Sequence, residues 1–149
     1  MEDIGDLYGS EGDRLWRAVA AFTRDDEIAS DAVAEAFAQC LRRGASIRSP
    51  KAWIWKAAFR IAAGALQERT AGLMLPAEAP YEMSTTDLDV LAAVSKLPPR
   101  QRASVILRYY ADYDMRMIAD VLGCGTTTAR VHLSRARRTL SKLLDPIDD

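Results

Sequence analysis

Residues 97–144 carry the pattern that most restricts what this chain can fold into. Apolar side chains recur at helical spacing on both sides of a short break, Gly123-Cys124-Gly125. Glycine readily adopts the left-handed backbone conformation that ends a helix. After the break, apolar residues recur every three or four positions, at Ala129, Leu133, Ala136, Leu140 and Leu143. The pattern predicts a helix, a tight glycine turn and a second, longer amphipathic helix.

The second helix of this pattern carries many basic side chains on its remaining faces. Its other faces carry Arg130, His132, Arg135, Arg137, Arg138 and Lys142. A basic amphipathic helix taken alone fits a solvated protein surface equally well. A helix, a tight turn and a basic helix in succession are the layout that places a recognition helix in the DNA major groove. The preceding helix and the glycine turn therefore favour DNA binding.

The distribution of charge agrees with this interpretation. Residues 97–144 contain nine Lys or Arg against three Asp, whereas residues 1–69 contain ten basic against eleven acidic side chains. The net charge of the whole chain is only −1. Because phosphate groups respond to the local potential rather than to the total, the basic C-terminal segment is the part suited to nucleic acid.

Composition excludes several other classes of protein. The two cysteines, Cys40 and Cys124, form no CxxC pair and the chain holds one His, which predicts neither a zinc site nor a disulfide framework. We therefore expect no metal and no cofactor. The single His lies in the basic helix and no glycine-rich phosphate loop is present, so an enzyme is not expected. No apolar run approaches the ~20 residues of a membrane span, and we expect a cytoplasmic protein without membrane insertion.

The rest of the chain is also helical in its pattern. Three apolar stripes at helical spacing lie within residues 15–22, 29–41 and 54–65, and no segment alternates with the period of a strand. The sequence therefore predicts an all-α protein of two small helical domains, at residues 1–69 and 88–149. The segment 70–87, with its Pro, Gly, Ser and Thr residues, is predicted to be a flexible linker.

Short motifs occur in both halves of the chain. In the C-terminal half, the segments 97–102, 107–109, 118–123 and 133–137 read LPPRQR, LRY, IADVLG and LSRAR. In the N-terminal half, the segments 31–37 and 50–54 read DAVAEAF and PKAWI. From about Asp6 to Leu144 the chain thus resembles the extracytoplasmic-function (group 4) sigma factors of the sigma-70 family, with the C-terminal motifs similar to region 4 and the N-terminal motifs similar to region 2, in the order that the family has.

This resemblance implies a bacterial transcription initiation factor that is not an enzyme. Region 2 would bind the β′ clamp helices of core RNA polymerase and open the −10 element of promoter DNA. Region 4 would bind the −35 element and the β flap. An anti-sigma factor is a further candidate partner. The exposed acidic face expected for binding core polymerase consists of Asp31, Glu35 and Gln39, which lie on one side of a helix at i,i+4 spacing.

The resemblance also assigns the residues expected to contact DNA. For the −10 region these are Ser46, Ile47 and Arg48 in the Gly44–Pro50 loop, followed by Lys51, Lys56 and Arg60. For the −35 element they are Thr126, Thr127, Arg130, Val131, His132 and Arg135. Contacts to the DNA backbone are expected from Arg100, Arg102, Arg137 and Arg138. An Arg side chain such as that of Arg130 can form two hydrogen bonds to a guanine, and a Val can contact a thymine methyl group.

Aromatic residues near the −10 segment offer a further possibility for base stacking. Trp53 matches a position that is mostly core in the family. Trp55 and Phe59 form an i,i+4 pair on a different face from Ile54 and Ala58. One member of the Trp55–Phe59 pair is therefore a candidate for an exposed contact with DNA, against the commoner alternative that both lie in the core.

Two departures from the family keep alternatives open. Ile61 and Gly64 stand where the family usually has Asn and Asp, and the basic end of region 2 is reduced to Gln67-Glu68-Arg69. These departures leave open a diverged −10 specificity or a loss of promoter opening. Two further alternatives are a sigma-like DNA-binding regulator that does not activate polymerase, and a decoy that binds an anti-sigma factor without opening promoters. Asp31 and Glu35 of the acidic face, together with the cations in and after the Gly44–Pro50 loop, favour the sigma factor over both alternatives. Arg130 and Arg135, which are expected to face the groove, argue against the decoy.

Overall fold

A computed structural model describes residues 3–73 and 90–144, and those residues form helices and connecting turns without strands, which confirms the all-α prediction. The chain divides into two compact units, Met1–Met74 and Leu75–Asp149. Seven α-helices lie in the described part of the chain: α1 (Ile4–Thr23), α2 (Asp26–Arg43), α3 (Pro50–Leu73), α4 (Val90–Ser95), α5 (Pro99–Val105), α6 (Met115–Leu122) and α7 (Thr126–Leu144). A 3-10 turn (Gly44–Ser46) follows α2, and a π-helical turn (Ile106–Tyr110) continues α5.

Helix α3 extends beyond residue 69, the predicted end of the first domain. Helix α3 continues to Leu73, so the first residues of the predicted 70–87 segment are helical rather than linker. Residues 74–89, which include the remainder of that prediction, lie outside the described residues. None of the described helices is both long and apolar enough to cross a bilayer. Within the same ranges, no group of His, Cys, Asp and Glu side chains is arranged to hold a metal ion.

Helices α1 and α2 are joined by a sharp polar turn. Arg24 ends α1 in the left-handed conformation at φ 57°, and its backbone N–H donates to the carbonyl of Ala20. Asp25 caps α2, since its carboxylate accepts from the backbone N–H of Ile28 at 3.0 Å. The hydroxyl of Thr23 accepts from the backbone N–H of Asp25 at 3.2 Å. These hydrogen bonds satisfy backbone groups that the helix ends leave unpaired.

The core of the first unit is aromatic on the side where α3 meets α1. Trp55 and Phe59 are 1% and 2% exposed, and the ring of Phe59 stacks on that of Phe22 at 5.3 Å between centroids. The hypothesis that one of this pair contacts DNA is therefore wrong. Helix α3 packs against both α1 and α2, so its buried arc is wide enough to include the Trp55–Phe59 face as well as the face of Ile54 and Ala58.

The second unit is organised around α7, which packs against α4, α5 and α6. Ala129, Leu133 and Ala136 form the buried stripe of α7, as the sequence pattern predicts. Helix α6 ends at Gly123, whose backbone is left-handed at φ 69° and ψ 36°, which confirms the predicted glycine turn. Most other residues would be strained there because a Cβ atom disfavours positive φ.

Arg102 is a buried structural residue rather than a phosphate contact. Its side chain is fully buried, and its Nη1 donates to the carbonyl of Leu97 at 2.7 Å and, more distantly, to that of Ser95 at 3.5 Å. The last carbonyls of a helix lack partners within the helix, and a guanidinium supplies several donors for them. The prediction that Arg102 contacts the DNA backbone is therefore wrong, because its buried guanidinium donates to the carbonyls at and just after the end of α4.

Replacing Arg102 is expected to destabilise the second unit selectively. Arg102→Ala leaves a buried carbonyl without its donor and opens a cavity, which should cost about 2–4 kcal/mol of unfolding free energy. Trp16, Trp53 and Trp55 all lie in the first unit, so tryptophan fluorescence follows that unit alone. In urea unfolding, we expect the far-UV circular dichroism transition of the second unit to shift while the fluorescence transition stays in place.

The matched control is Arg116→Ala, which removes the same charge from an exposed position on α6. It should change stability by no more than about 0.5 kcal/mol. Equal effects of the two substitutions would contradict the structural role of Arg102.

Candidate nucleic-acid interface

One side of α7 is exposed over the first half of the helix. Because Ala129 and Leu133 are turned into the core, the opposite side is directed outward. This outward side exposes Thr126, Thr127, Arg130, Val131 and Arg135, all of which the sequence selected for the −35 element. Val131, 40% exposed, is an apolar side chain held in solvent between two arginines of the same surface. A polar helix face with one exposed aliphatic side chain is suited to the mixed donor, acceptor and methyl pattern of a major groove.

Arg100 and His132 lie at the edge of this face. Arg100 is exposed and its Nη1 donates to the carbonyl of Leu122 at 3.3 Å, which holds the side chain beside the glycine turn. His132 is half-buried, and burial, followed by the charges of Arg100 and Arg135, lowers the pKa of its imidazole. The ring is therefore neutral at neutral pH. It can act as a hydrogen-bonding group toward a base, but it adds no positive charge.

The second half of α7 carries two exposed arginines, Arg137 and Arg138. Arg137 is ordered by a contact that the sequence did not indicate: its Nε donates to the phenolic oxygen of Tyr109 at 2.6 Å. Tyr109 belongs to the π-helical turn after α5. A π turn departs from regular helical spacing, so periodicity gave no sign that Tyr109 and Arg137 meet.

The Gly44–Pro50 loop of the first unit is fixed by three anchors. Gly44 adopts φ 55° and ψ −129°, a backbone conformation that favours glycine. The hydroxyl of Ser46 donates to the carbonyl of Arg43 at 2.9 Å. Ile47 is only 9% exposed and packs inward, so the prediction that its side chain contacts DNA is wrong. The buried Ile47 instead leaves Ser46 and Arg48 exposed on either side of it.

Trp53 is half-buried beside this loop and pairs with Arg43. The guanidinium carbon of Arg43 lies 5.5 Å from the centroid of the indole ring, within the range of a cation–π contact. Arg43 was not among the residues that the sequence selected, because it belongs to none of the recognised motifs. Its position in the last turn of α2, directly before the loop, is the one feature of the sequence that could have suggested a role at the loop.

The three cations expected on α3 occupy different environments. Lys51 is exposed and its Nζ lies 3.7 Å from a carboxylate oxygen of Glu11, which also accepts from Trp55 Nε1 at 3.1 Å. Lys56 is half-buried and Arg60 is exposed. Lys51 is thus partly neutralised by the first unit itself.

The two departures from the family also lie on α3. Ile61 is half-buried and Gly64 is exposed. Arg69, the remaining cation of the reduced basic end, forms an ion pair with Asp25. Since Asp25 is also the cap of α2, its carboxylate joins the start of α2 to the last turns of α3.

The face of α2 predicted to bind core polymerase is exposed. Asp31 and Glu35 are exposed and Gln39 is half-buried. The carboxylate of Glu35 accepts from Gln39 Nε2 at 3.1 Å and from Arg42 Nη2 at 3.0 Å. These two hydrogen bonds, from Gln39 first and then Arg42, lower the pKa of Glu35, so this carboxylate is ionised throughout the neutral range.

The depressed pKa of His132, the one histidine in the chain, predicts a specific pH dependence of stability. Because the unfolded chain binds the proton more readily than the folded one, the second unit should lose stability as the pH falls from ~7.5 through ~6.5 to ~5.5. In His132→Gln this loss should be absent. Urea midpoints from circular dichroism at several pH values measure it. Parallel pH profiles of the two proteins would contradict the burial of an uncharged imidazole.

Comparison with known protein families gives a match to sigma-70, region 4, over residues 87–140. This range contains α4 to α6 and most of α7. The RNA polymerase sigma factor SigV of Bacillus subtilis (strain 168) is 25% identical over 135 residues, covering 85% of this chain and 81% of SigV. The sequence likeness to a sigma factor thus extends over both units.

Solved structures share the fold, and two of them are compared with this chain. The sigma factor RpoE from Bartonella quintana, solved in complex with the anti-sigma factor NepR, matches with a TM-score of 0.73 at 21% identity, over 97% of this chain and 99% of RpoE. CnrH, solved in complex with the cytosolic domain of CnrY, matches with a TM-score of 0.69 at 21% identity, over 97% of this chain and 89% of CnrH. The region 4 match and the SigV relative support the predicted resemblance to extracytoplasmic-function sigma factors and a sigma factor role in transcription initiation, and the solved structures show that the fold is shared.

Proposed function

We propose that the protein binds core RNA polymerase in the cytoplasm and directs it to promoters that carry a −35 and a −10 element. The observation that carries this proposal is the arrangement of α6, the left-handed Gly123 and α7, which buries Ala129 and exposes Arg130 and Val131 on the outer side of the second helix. A recognition helix needs this combination of a fixed inner face and a free outer face.

In this proposal the first two turns of α7 read the −35 element. Arg130 would donate two hydrogen bonds to a guanine, and Val131 would contact a thymine methyl group. Thr126 and Thr127 stand at the helix N-terminus, where backbone N–H groups and hydroxyls favour a phosphate oxygen. Arg100, at the edge of the same face, would hold a second phosphate and set the register of the helix on the duplex.

The −10 element would meet the Gly44–Pro50 loop and the start of α3. The loop is held by Gly44, by the Ser46–Arg43 hydrogen bond and by the buried Ile47, so it presents its exposed side chains in a fixed geometry. A pre-formed loop avoids the entropic cost of ordering at the moment of binding. Lys51, Lys56 and Arg60 would follow the displaced strand along α3.

The acidic face of α2 is the proposed contact with the β′ clamp helices of the polymerase, and the second unit would contact the β flap. Exposed carboxylates on Asp31 and Glu35 support the first assignment, because complementary charge guides the docking of a basic partner surface. The depressed pKa of Glu35 keeps this charge in place across the neutral range.

An anti-sigma factor is the second proposed partner. Two of the solved structures with this fold are complexes, the sigma factor RpoE with the anti-sigma factor NepR and CnrH with the cytosolic domain of CnrY. A protein of the same fold, with an exposed acidic α2 and an exposed basic α7, offers surfaces that such a regulator could cover.

Run-off transcription tests the proposed function directly. A fragment library of the source genome is transcribed by bacterial core polymerase with and without the protein. We expect new discrete transcripts whose templates share a −35 and a −10 element upstream of the start site, which region 4 and region 2, respectively, would read.

Two other outcomes would replace the proposal. Fragments bound by the protein without core polymerase, and without new transcripts, would identify a DNA-binding regulator. Neither bound fragments nor transcripts, with retained binding to an anti-sigma factor, would identify a decoy.

Arg130→Ala should weaken recognition of the −35 element specifically. Loss of a bidentate guanine contact should reduce the discrimination between the matched and a scrambled −35 sequence by about 1–3 kcal/mol. Fluorescence anisotropy of the polymerase-bound protein on the two duplexes measures this difference. Lys142→Ala, which removes a charge from the far end of α7, is the control and should leave the discrimination unchanged. An equal loss on both duplexes would show that Arg130 contacts only the DNA backbone.

A further inference from the structure

We propose that Tyr109 and Arg137 together form a binding site for one DNA phosphodiester at the flank of α7, in which Tyr109 is the positioning residue. The two side chains come from different helical segments and meet at the surface. Arg137 Nε lies 2.6 Å from the phenolic oxygen of Tyr109, and its guanidinium carbon lies 5.5 Å from the centroid of the ring. Tyr109 is nevertheless 56% exposed, so the contact is open to a ligand.

The π-helical turn Ile106–Tyr110 is what brings the tyrosine to α7. In this turn the backbone N–H of Ala111 donates to the carbonyl of Ile106, five residues earlier, at 3.1 Å. The additional residue changes the direction in which the side chains at the end of the turn leave the backbone. Such turns are rare and occur frequently at functional sites. The irregular backbone of the π-helical turn thus places the phenol of Tyr109 beside the guanidinium of Arg137.

The chemistry of the pair fits an anion with several oxygens. The phenolic oxygen accepts the Nε–H of Arg137, so its own proton is available for donation to a third group. The two terminal amino groups of the same guanidinium offer further donors in a fixed plane. Within residues 3–73 and 90–144, no carboxylate forms an ion pair with Arg137. Held on one edge by Tyr109, the guanidinium presents its other edge with less rotational freedom to lose on binding.

The position of the pair along α7 favours a backbone phosphate over a base. Arg137 follows Arg130 by seven residues, which places it two turns and about 10 Å further along the same side of the helix. The major groove is about 12 Å wide. If Arg130 reaches base edges inside the groove, as the proposed function requires and as this inference assumes, Arg137 meets the sugar–phosphate backbone at the wall of the groove.

The experiment uses the full chain bound to core polymerase and a duplex with the promoter found by run-off transcription. Fluorescence anisotropy is measured across a salt series for Arg137→Ala, Tyr109→Phe and the double variant. Arg137→Ala should weaken binding about tenfold and lower the slope of log affinity against log salt by about 1. Tyr109→Phe keeps the ring and every charge, so it should weaken binding about threefold with an unchanged slope. The double variant should lose less than the product of the two single effects.

Two controls separate a phosphate contact from other causes. Arg17→Ala removes one charge from an exposed position on α1 and should change neither affinity nor slope. Both Arg137→Ala and Tyr109→Phe should weaken binding equally on the matched and the scrambled −35 duplex, since a phosphate carries no sequence. Circular dichroism in urea verifies that Tyr109→Phe leaves the second unit folded.

Three results would overturn the inference. Arg137→Ala indistinguishable from Arg17→Ala would remove the site while leaving the proposed function intact. Effects of the two single variants that multiply in the double variant would show that Tyr109 does not act through Arg137. Absence of sequence-dependent binding by the unaltered protein on polymerase would overturn the proposed function and this inference together.

Discussion

The packing of one small-residue stripe on α7 determines most of what the second unit can do. Ala129 and Ala136 are completely buried and Leu133 nearly so, and three other helices close over them. Small side chains at these positions let the neighbouring helices approach closely, which fixes the rotation of α7 about its own axis. The spacing of each polar residue from that stripe then determines which way its side chain faces. The packing of the buried stripe therefore decides which side chains of α7 form the exposed surface.

The sequence pattern was sufficient to predict the structure where a residue's conformation or burial depends mainly on its neighbours in the chain. The left-handed Gly123, the buried stripe of α7 and the polar break between α1 and α2 follow from spacing and from backbone preferences. Cys40, which lies within the apolar stripe predicted at residues 29–41, is fully buried for the same reason. The family resemblance, which rested on short motifs in both halves of the chain, is confirmed by the comparisons.

Sequence alone could not distinguish residues whose role depends on tertiary contacts. Arg100 and Arg102 are two residues apart near the start of one helix, yet Arg100 is exposed beside the glycine turn and Arg102 is buried against the carbonyls that follow α4. Nothing in their spacing distinguishes a side chain that stays exposed from one that is buried in the fold. Ile47 in a surface loop and the Trp55–Phe59 pair on α3 show the same limit, because burial there depends on which second helix covers them.

The ion pair between Glu35 and Arg42 has a consequence for how tightly α2 can hold a partner. In the free protein this carboxylate already has two donors, at 3.0 and 3.1 Å. A cation of a binding partner therefore has to replace Gln39 or Arg42 at this carboxylate. The binding free energy gains only the difference between the new contact and the one that is lost. Since exposed pairs are worth little individually, such an exchange stays close to balance. A surface built in this way can be selective about charge and still release what it has bound.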